Sequence, residues 1–140
     1  ELLKPMGIGN CRWQDDLSGL PKSAAGSSVL SRDMIKMGLL VLGGGNWNGK
    51  RHLPEKFLKK ATSALVQTSP SSHYGYFWWH QTWEIGDAKY PCIQGRGAGG
   101  QFIFVLPTLE LVIVATAHNK GMGKMLWQLP EVLILAFRKG

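Results

Sequence analysis

The pattern of apolar and polar positions changes character three times along the chain, and each change predicts a different kind of element. Residues 1–30 hold few periodic apolar positions and many turn formers, among them Gly7, Gly9, Gly19, Pro21, Gly26, Ser27 and Ser28. That is loop chemistry with at most a short turn of helix. From residue 31 the spacing becomes helical, with Met34, Ile35, Gly38, Leu39, Val41 and Leu42 as the apolar face. Ser31 reads as the N-cap, Asp33 falls in the first turn where the helix dipole favours an anion, and Gly43-Gly44-Gly45 stops the helix. Nearly every position but Lys36 is apolar or small, so this helix is expected to be largely buried. Pro54 suits the first position of a second helix reaching about residue 65, with Phe57, Leu58, Ala61 and Leu65 inward and Lys56, Lys59 and Lys60 outward. Residues 67–72, which include Pro70, read as a loop.

From Tyr74 the period drops to two. Tyr74, Tyr76, Trp78 and His80 are expected on one face of a strand and Phe77, Trp79, Gln81 and Trp83 on the other, and aromatic residues on both argue that neither is freely solvated. Gly86-Asp87 makes a turn, residues 90–106 read as a second strand carrying a glycine-rich stretch at 95–101, and Pro107-Thr108 leads into a buried strand at 109–117. These three form an antiparallel meander. After His118-Asn119 and Gly121-Met122-Gly123, residues 124–139 read as a helix kinked or opened by Pro130, with Leu126, Trp127, Val132, Leu133, Leu135, Ala136 and Phe137 ready to pack on the sheet. The layout is α+β within one domain: a loop region (1–30), a helical pair (31–66), and a three-stranded sheet with a C-terminal helix (74–140).

Composition narrows the function classes. With 140 residues, 44% hydrophobic and 18% charged, the chain suits one globular unit. No run approaches the ~18 apolar residues of a membrane span, and the N-terminus lacks a signal-peptide pattern, so no span is expected and the compartment stays open. The net charge of +7 comes from dispersed residues with one cluster, Lys50, Arg51, Lys56, Lys59 and Lys60, which reads as a solvated helix face; nucleic-acid binding is not expected. Cys11 and Cys92 have no metal spacing with the four histidines, so neither zinc nor another cofactor is expected, and their pairing is open. The segment Gly44-Gly45-Asn46-Trp47-Asn48-Gly49-Lys50 imitates the start of a phosphate-binding loop. Arg51 stands where Ser or Thr should hold magnesium, and a helix precedes it, so it reads as a tight turn between helices.

The stretch Gly95-Arg96-Gly97-Ala98-Gly99-Gly100-Gln101 is the candidate site. It is either a hairpin arm in which glycine relieves crowding or a strand edge whose bare N–H groups face a substrate. Nothing else completes a catalytic set: there is no Ser-x-x-Lys, Gly-x-Ser-x-Gly, Tyr-x-Asn or Lys-Thr-Gly, the carboxylates are scattered, and no partner orients His80 or His118.

Taken jointly, several segments resemble the C-terminal portion of the serine β-lactamase-like hydrolases, nearest the class C lactamase, penicillin-binding esterase and 6-aminohexanoate-oligomer hydrolase branch. They are Ala25-Gly26-Ser27-Ser28, Ser31-Arg32-Asp33-Met34-Ile35-Lys36-Met37-Gly38, Tyr74-Gly75-Tyr76-Phe77-Trp78-Trp79, Arg96-Gly97-Ala98-Gly99-Gly100-Gln101 and Leu109-Glu110-Leu111-Val112-Ile113-Val114. The resemblance implies a β-lactamase/transpeptidase-like fold and acyl transfer through a serine from a Ser-x-x-Lys motif, with a Lys and a Tyr moving protons on a small amide or ester substrate. It places Gly95, Arg96 and Gly97 in the family's third motif and makes the Ala98 N–H one of two oxyanion donors, with Gly97, Gly99 and Gly100 clearing the approach and Gln101 at the start of the strand. Arg96 departs from the small residue expected there; it is read as pointing to solvent, with bidentate binding of a substrate carboxylate as the other reading. The nucleophile and base would lie upstream, in an N-terminal half that acts as partner to this chain, and the family leaves a periplasmic or secreted location open.

Three readings follow. The chain is the C-terminal part of such a hydrolase, inactive alone; or a lactamase-like binding module without chemistry; or a basic domain using residues 50–60 on nucleic acid or acidic lipid, with steep salt dependence. In the first, residues 76–79 are read as core, with one ring lining the acyl site as the other reading, residues 26–28 border the cleft or form a plain loop, and unpaired sheet edges favour association.

Overall fold

The computed structural model describes residues 2–23, 25–118 and 123–138, the last stretch with side chains from 128 onward. The expected loop at Asn119, Gly121 and Met122, and the packing roles of Leu126 and Trp127, lie outside the described residues. A single 3-10 turn, Lys4–Met6, precedes a small ribbon in which β1 (Arg12–Trp13) pairs with β2 (Ser27–Ser28), so the first thirty residues are mostly loop, as their composition predicts.

Helix α1 (Ser31–Leu42) starts one residue earlier than its sequence signal. Leu30 has the extended backbone of a cap (ψ 143°), and Ser31 is already helical, its hydroxyl lying 3.0 Å from Thr116 Oγ1. Buried Asp33 pairs with Lys36 at 2.7 Å, and the same ammonium donates to the Gly7 carbonyl at 2.8 Å, which ties the N-terminal loop to the helix. The expectation of a largely buried helix is corrected. Asp33, Gly38 and Leu40 are buried while Ile35 and Leu39 are exposed, because the sheet and the Met6–Ile8 loop contact only part of the circumference.

Residues 46–51 form a hairpin rather than a plain turn. Strand β3 (Asn46–Trp47) pairs with β4 (Lys50–Arg51) around Asn48-Gly49, both at positive φ (49° and 75°), the arrangement that Asn-Gly favours in a two-residue hairpin loop. Arg51 donates to the carbonyls of Gly44 and Leu53, a structural use of the basic residue. Helix α2 (Glu55–Ala61) has Pro54 as its cap and stops well before residue 65. The Thr62 and Ser63 hydroxyls take the Leu58 and Lys60 carbonyls and close its last turn. Leu58 and Ala61 are buried as expected, whereas Phe57 and Leu65 are exposed.

The sheet has six strands, not three. Strands β5 (Val66–Ser69), β6 (Ser72–Gly75), β7 (Trp78–Ile85), β8 (Ala88–Gly97), β9 (Gln101–Leu106) and β10 (Leu111–Ala115) lie in the order β10-β9-β8-β7-β6-β5, every neighbouring pair antiparallel. The stretch read as a loop at 67–72 is the β5–β6 hairpin, hidden because its residues are polar and exposed. The strand expected through Tyr74–Trp83 is broken at Tyr76-Phe77, the two turn residues between Gly75 and Trp78. Tyr74 and Trp78 therefore belong to different strands, and Tyr76 and Phe77 are exposed rather than core. Likewise 90–106 is two strands joined by the turn 98–100.

Alternation sorts the side chains into two layers. Gln94 faces Trp79 on β7 and Phe104 on β9, and Phe104 faces Ile113 on β10, so these share one face. There α3 (Gly123–Phe137) packs Ile134, Leu133 and Leu129 against Phe102, Phe104 and Trp83. The helix continues through Pro130, which is fully buried, while Val132, Leu135, Ala136 and Phe137 are exposed; the expected packing of those four is corrected, since the sheet meets one side of the helix only. Helix α1 lies on the opposite face through Gly38, where an added Cβ would collide with Val112 Cγ1 and stand 3.0 Å from Ile103 Cγ2.

Among the described residues no strand pairs with the outer edge of β10, an apolar run without a charge or proline to deter pairing. Sedimentation velocity is expected to show association that grows between about 1 and 100 µM; a single monomeric species throughout would contradict it. Gly38→Ala sets a helix-propensity gain of about 1 kcal/mol against overpacking worth about 1–3 kcal/mol. The clash with two strands should win, lowering the urea midpoint, and an unchanged or higher midpoint would show that α1 sits less closely than described.

Candidate active site

The glycine-rich stretch is split between a strand end and a turn. Pairing of β8 with β7 ends at Trp79↔Gln94, whereas pairing with β9 continues to Gly97↔Gln101. Gly95, Arg96 and Gly97 thus have a ladder partner on one side only. Both earlier readings of the glycines have a counterpart here: there is a hairpin, and its arm ends in a one-sided edge. Ala98, Gly99 and Gly100 make the turn, with φ of 92° at Gly99 and 100° at Gly100, a conformation that glycine adopts without strain. Ala98 is exposed, and among the described residues its N–H has no hydrogen-bond partner. Gln101 opens β9 and donates to the Ala117 carbonyl at 2.7 Å, which holds the turn against the end of β10. At Gly97 a Cβ would stand 3.1 Å from Gln101 Cβ, a tight fit, whereas at Gly95 one would rest in ordinary contact with Trp78 and Ile103.

Arg96 does not point to solvent, which corrects the sequence-based reading. Its Nε donates to Gln94 Oε1 at 2.8 Å, its Nη2 to Gln81 Oε1 at 3.3 Å, and the guanidinium lies 4.5 Å from the Trp79 ring centre. Trp79 in turn packs on Tyr74, ring centres 4.8 Å apart. Burial pushes the guanidinium down to about 10, still charged near neutrality. Gln94 is 0% exposed, so Arg96 satisfies a carbonyl oxygen that has no access to water.

The other candidate groups lie elsewhere. His73 and His80 face each other across β6 and β7, and burial first, then the neighbouring His73, pushes the His80 imidazole below its ordinary value. They line an open groove of about 830 Å³ with Gln81, Thr82, Trp83 and Cys92, which none of the residues 95–101 borders. Ser27 and Ser28 form β2, paired with Trp13 and Arg12, and the Gly26 carbonyl accepts from the Gln14 N–H. Among the described residues, serine hydroxyls bond to Asp16, Thr116 and the carbonyls of Lys60 and His80 and to no Lys, His or Tyr side chain. The one-sided strand end itself was invisible in the sequence, because it depends on where β7 begins.

Cys11 and Cys92 are both free thiols. Burial pushes Cys92 up to about 12 from an ordinary 9.0. A raised acid is protonated in the folded chain, so its contribution to stability is complete below about pH 9 and is lost as pH rises toward 12. Near pH 8 a thiol reagent should modify Cys11 promptly and Cys92 only after unfolding; two equal rates in the folded protein would refute this.

No family model matches the chain, and no curated protein matches it in sequence. Solved structures do. A protein from Bacillus anthracis named as a 6-aminohexanoate-dimer hydrolase superposes with a TM-score of 0.71 at 22% identity, over 92% of this chain and 34% of that one. A penicillin-binding protein from Bacillus halodurans gives 0.67 at 18% identity, over 94% and 47%. A protein from Bacteroides dorei DSM 17855 named as a β-lactamase gives 0.60 at 12% identity, over 92% and 48%. The chain spans between about a third and a half of the length of these structures. A six-stranded antiparallel sheet held between α1 and α3, superposing on all three, has the β-lactamase/transpeptidase-like fold, in part of its extent.

Proposed function

We propose that the chain is the oxyanion-strand portion of a serine hydrolase that cleaves small amide or ester substrates through an acyl-serine intermediate. The observation that carries this reading is the one-sided end of β8, which leads into a turn where the Ala98 N–H has no partner among the described residues. An N–H held on a strand end and already free of other bonds can meet a developing oxyanion without reorganisation, an effect worth about 3–4 kcal/mol of barrier. Gly97 and Gly99 flank it without side chains that would block a carbonyl. Likeness to the hydrolase-named and penicillin-binding folds supports the reaction class.

In this reading the nucleophile, its lysine and the proton-moving tyrosine come from a part of the domain beyond these 140 residues, docked along the β8 end. The nucleophile's own N–H is the second oxyanion donor. Gly95, Gly97, Gly99 and Gly100 shape the approach. Arg96 is a positioning residue: through Gln94 and Gln81 it fixes the strand end from the α3 side of the sheet.

The test is active-site labelling of the protein encoded by the complete reading frame, using a fluorescent penicillin and a fluorophosphonate. Labelling is expected for that product and not for residues 1–140 alone. In the labelled protein Ala98→Pro deletes the donor and should slow acylation about 100-fold to 1,000-fold, while Ala98→Ser, which keeps the N–H, should stay near the parent rate. Equal rates for the two variants would remove Ala98 from the mechanism, and a complete product that binds penicillin without acylating would favour the non-catalytic module.

A further inference from the structure

The tip of the β6–β7 hairpin is unfavourable to the chain in two ways. Its turn residues Tyr76 and Phe77 both have positive φ (44° and 73°), where Asn and Gly are the residues of choice. Both rings are also left in water, Tyr76 at 48% and Phe77 at 64% exposure. A strained turn that displays two large aromatic rings gains nothing from its own fold for either feature.

The rings have exposed apolar and basic neighbours on the segment 57–65. A Cβ at Gly75 would meet the Ser63 carbonyl and stand 3.2 Å from Leu65 Cγ, so the segment after α2 lies against the hairpin, with Leu65 exposed. Lys60 holds its ammonium 5.9 Å from the Tyr76 ring centre. Phe57 and Lys56 are one helical turn before Lys60 on α2, and Phe57 is 54% exposed. Lys59 is excluded, since it pairs with Glu55 at 2.6 Å, whereas Lys56 and Lys60 have no ion pair among the described residues.

We propose that Phe57, Leu65, Tyr76 and Phe77, flanked by Lys56 and Lys60, form an interfacial docking surface for an anionic lipid bilayer. Charge and shape select this occupant. Two ammonium groups beside exposed aromatic and aliphatic side chains match a layer whose phosphates overlie hydrocarbon, and the net charge of +7 adds a long-range attraction in the same direction. A single nucleic-acid strand would instead need a run of basic residues along its backbone, and this surface offers two lysines on one helix. No described helix is long and apolar enough to cross a membrane, so the contact proposed lies on the surface. The hairpin tip lies beside the one-sided end of β8, since a Cβ at Gly95 would touch Trp78; the proposal rests on the exposed rings and lysines, and vesicle binding is read independently of acylation.

Flotation of the full chain at submicromolar concentration, with vesicles of phosphatidylcholine alone and with roughly 30 mol % phosphatidylglycerol, tests it. Binding is expected on the anionic vesicles only, falling between about 50 and 500 mM salt. The double variant Tyr76→Asn/Phe77→Gly supplies the residues that the turn prefers, so it should raise the urea midpoint while cutting vesicle binding about tenfold. Lys56→Gln/Lys60→Gln should cut it similarly and serves if the turn variant fails to fold. No binding to anionic vesicles, or binding that both variants retain, overturns the proposal. So does tighter binding to a 20-nucleotide single strand (about 20 to match one basic face) that the same variants abolish, which would make nucleic acid the occupant.

Discussion

Phe104 and Val105 are neighbours on β9 and each is 0% exposed, although consecutive strand residues point to opposite faces of a sheet. A strand dry on both sides must be covered on both, and that requirement arranges the rest of the chain. Ile134 of α3 closes the Phe104 side. Helix α1 closes the other, and it comes close enough because position 38 has no side chain to hold it away from Val112 and Ile103. Burial of this kind is worth about 25 cal/mol for each Å² of apolar surface removed from water, and it outweighs local costs such as the backbone hydrogen bond lost at buried Pro130.

Because β9 is buried on both faces, its hairpin partner β8 is held along one side to the last residue. The other side runs out of partner where β7 starts, and there the chain places Arg96. A guanidinium near this core would be costly if unbonded. The Gln94 and Gln81 oxygens and the Trp79 ring meet it instead, and in return Arg96 satisfies the wholly buried Gln94 carbonyl. The polar seam therefore joins the core to the strand end that we propose for oxyanion binding, and the rigidity of one is passed to the other.

Two hairpins show how differently the chain treats positive φ. Asn48-Gly49 uses residues that tolerate it and joins two short strands. Tyr76-Phe77 uses residues for which it costs about 1–2 kcal/mol each, and places them on the surface. In the first the local preference and the fold agree. In the second the long register of β6 against β7 imposes the turn on residues that would not choose it.

Local chemistry was enough to determine α1, the Pro54 start of α2, the Gly86 turn, the apolar strand β10, the helical C-terminal segment and the α+β class, since periodicity and glycine or proline stops act over a few residues. The Asn48-Gly49 pair also carried a hairpin signal that was readable in principle. The β5–β6 hairpin was not legible, because polar exposed strands carry no alternation, and neither was the break at Tyr76-Phe77, where aromatic residues occupy both turn positions. At the candidate site the glycines announced themselves, but the one-sided end of β8 and the partners of Arg96 did not. Those depend on where β7 begins and on which residues fifteen positions apart come to share a face, and only strand register, a property of the assembled sheet, decides that.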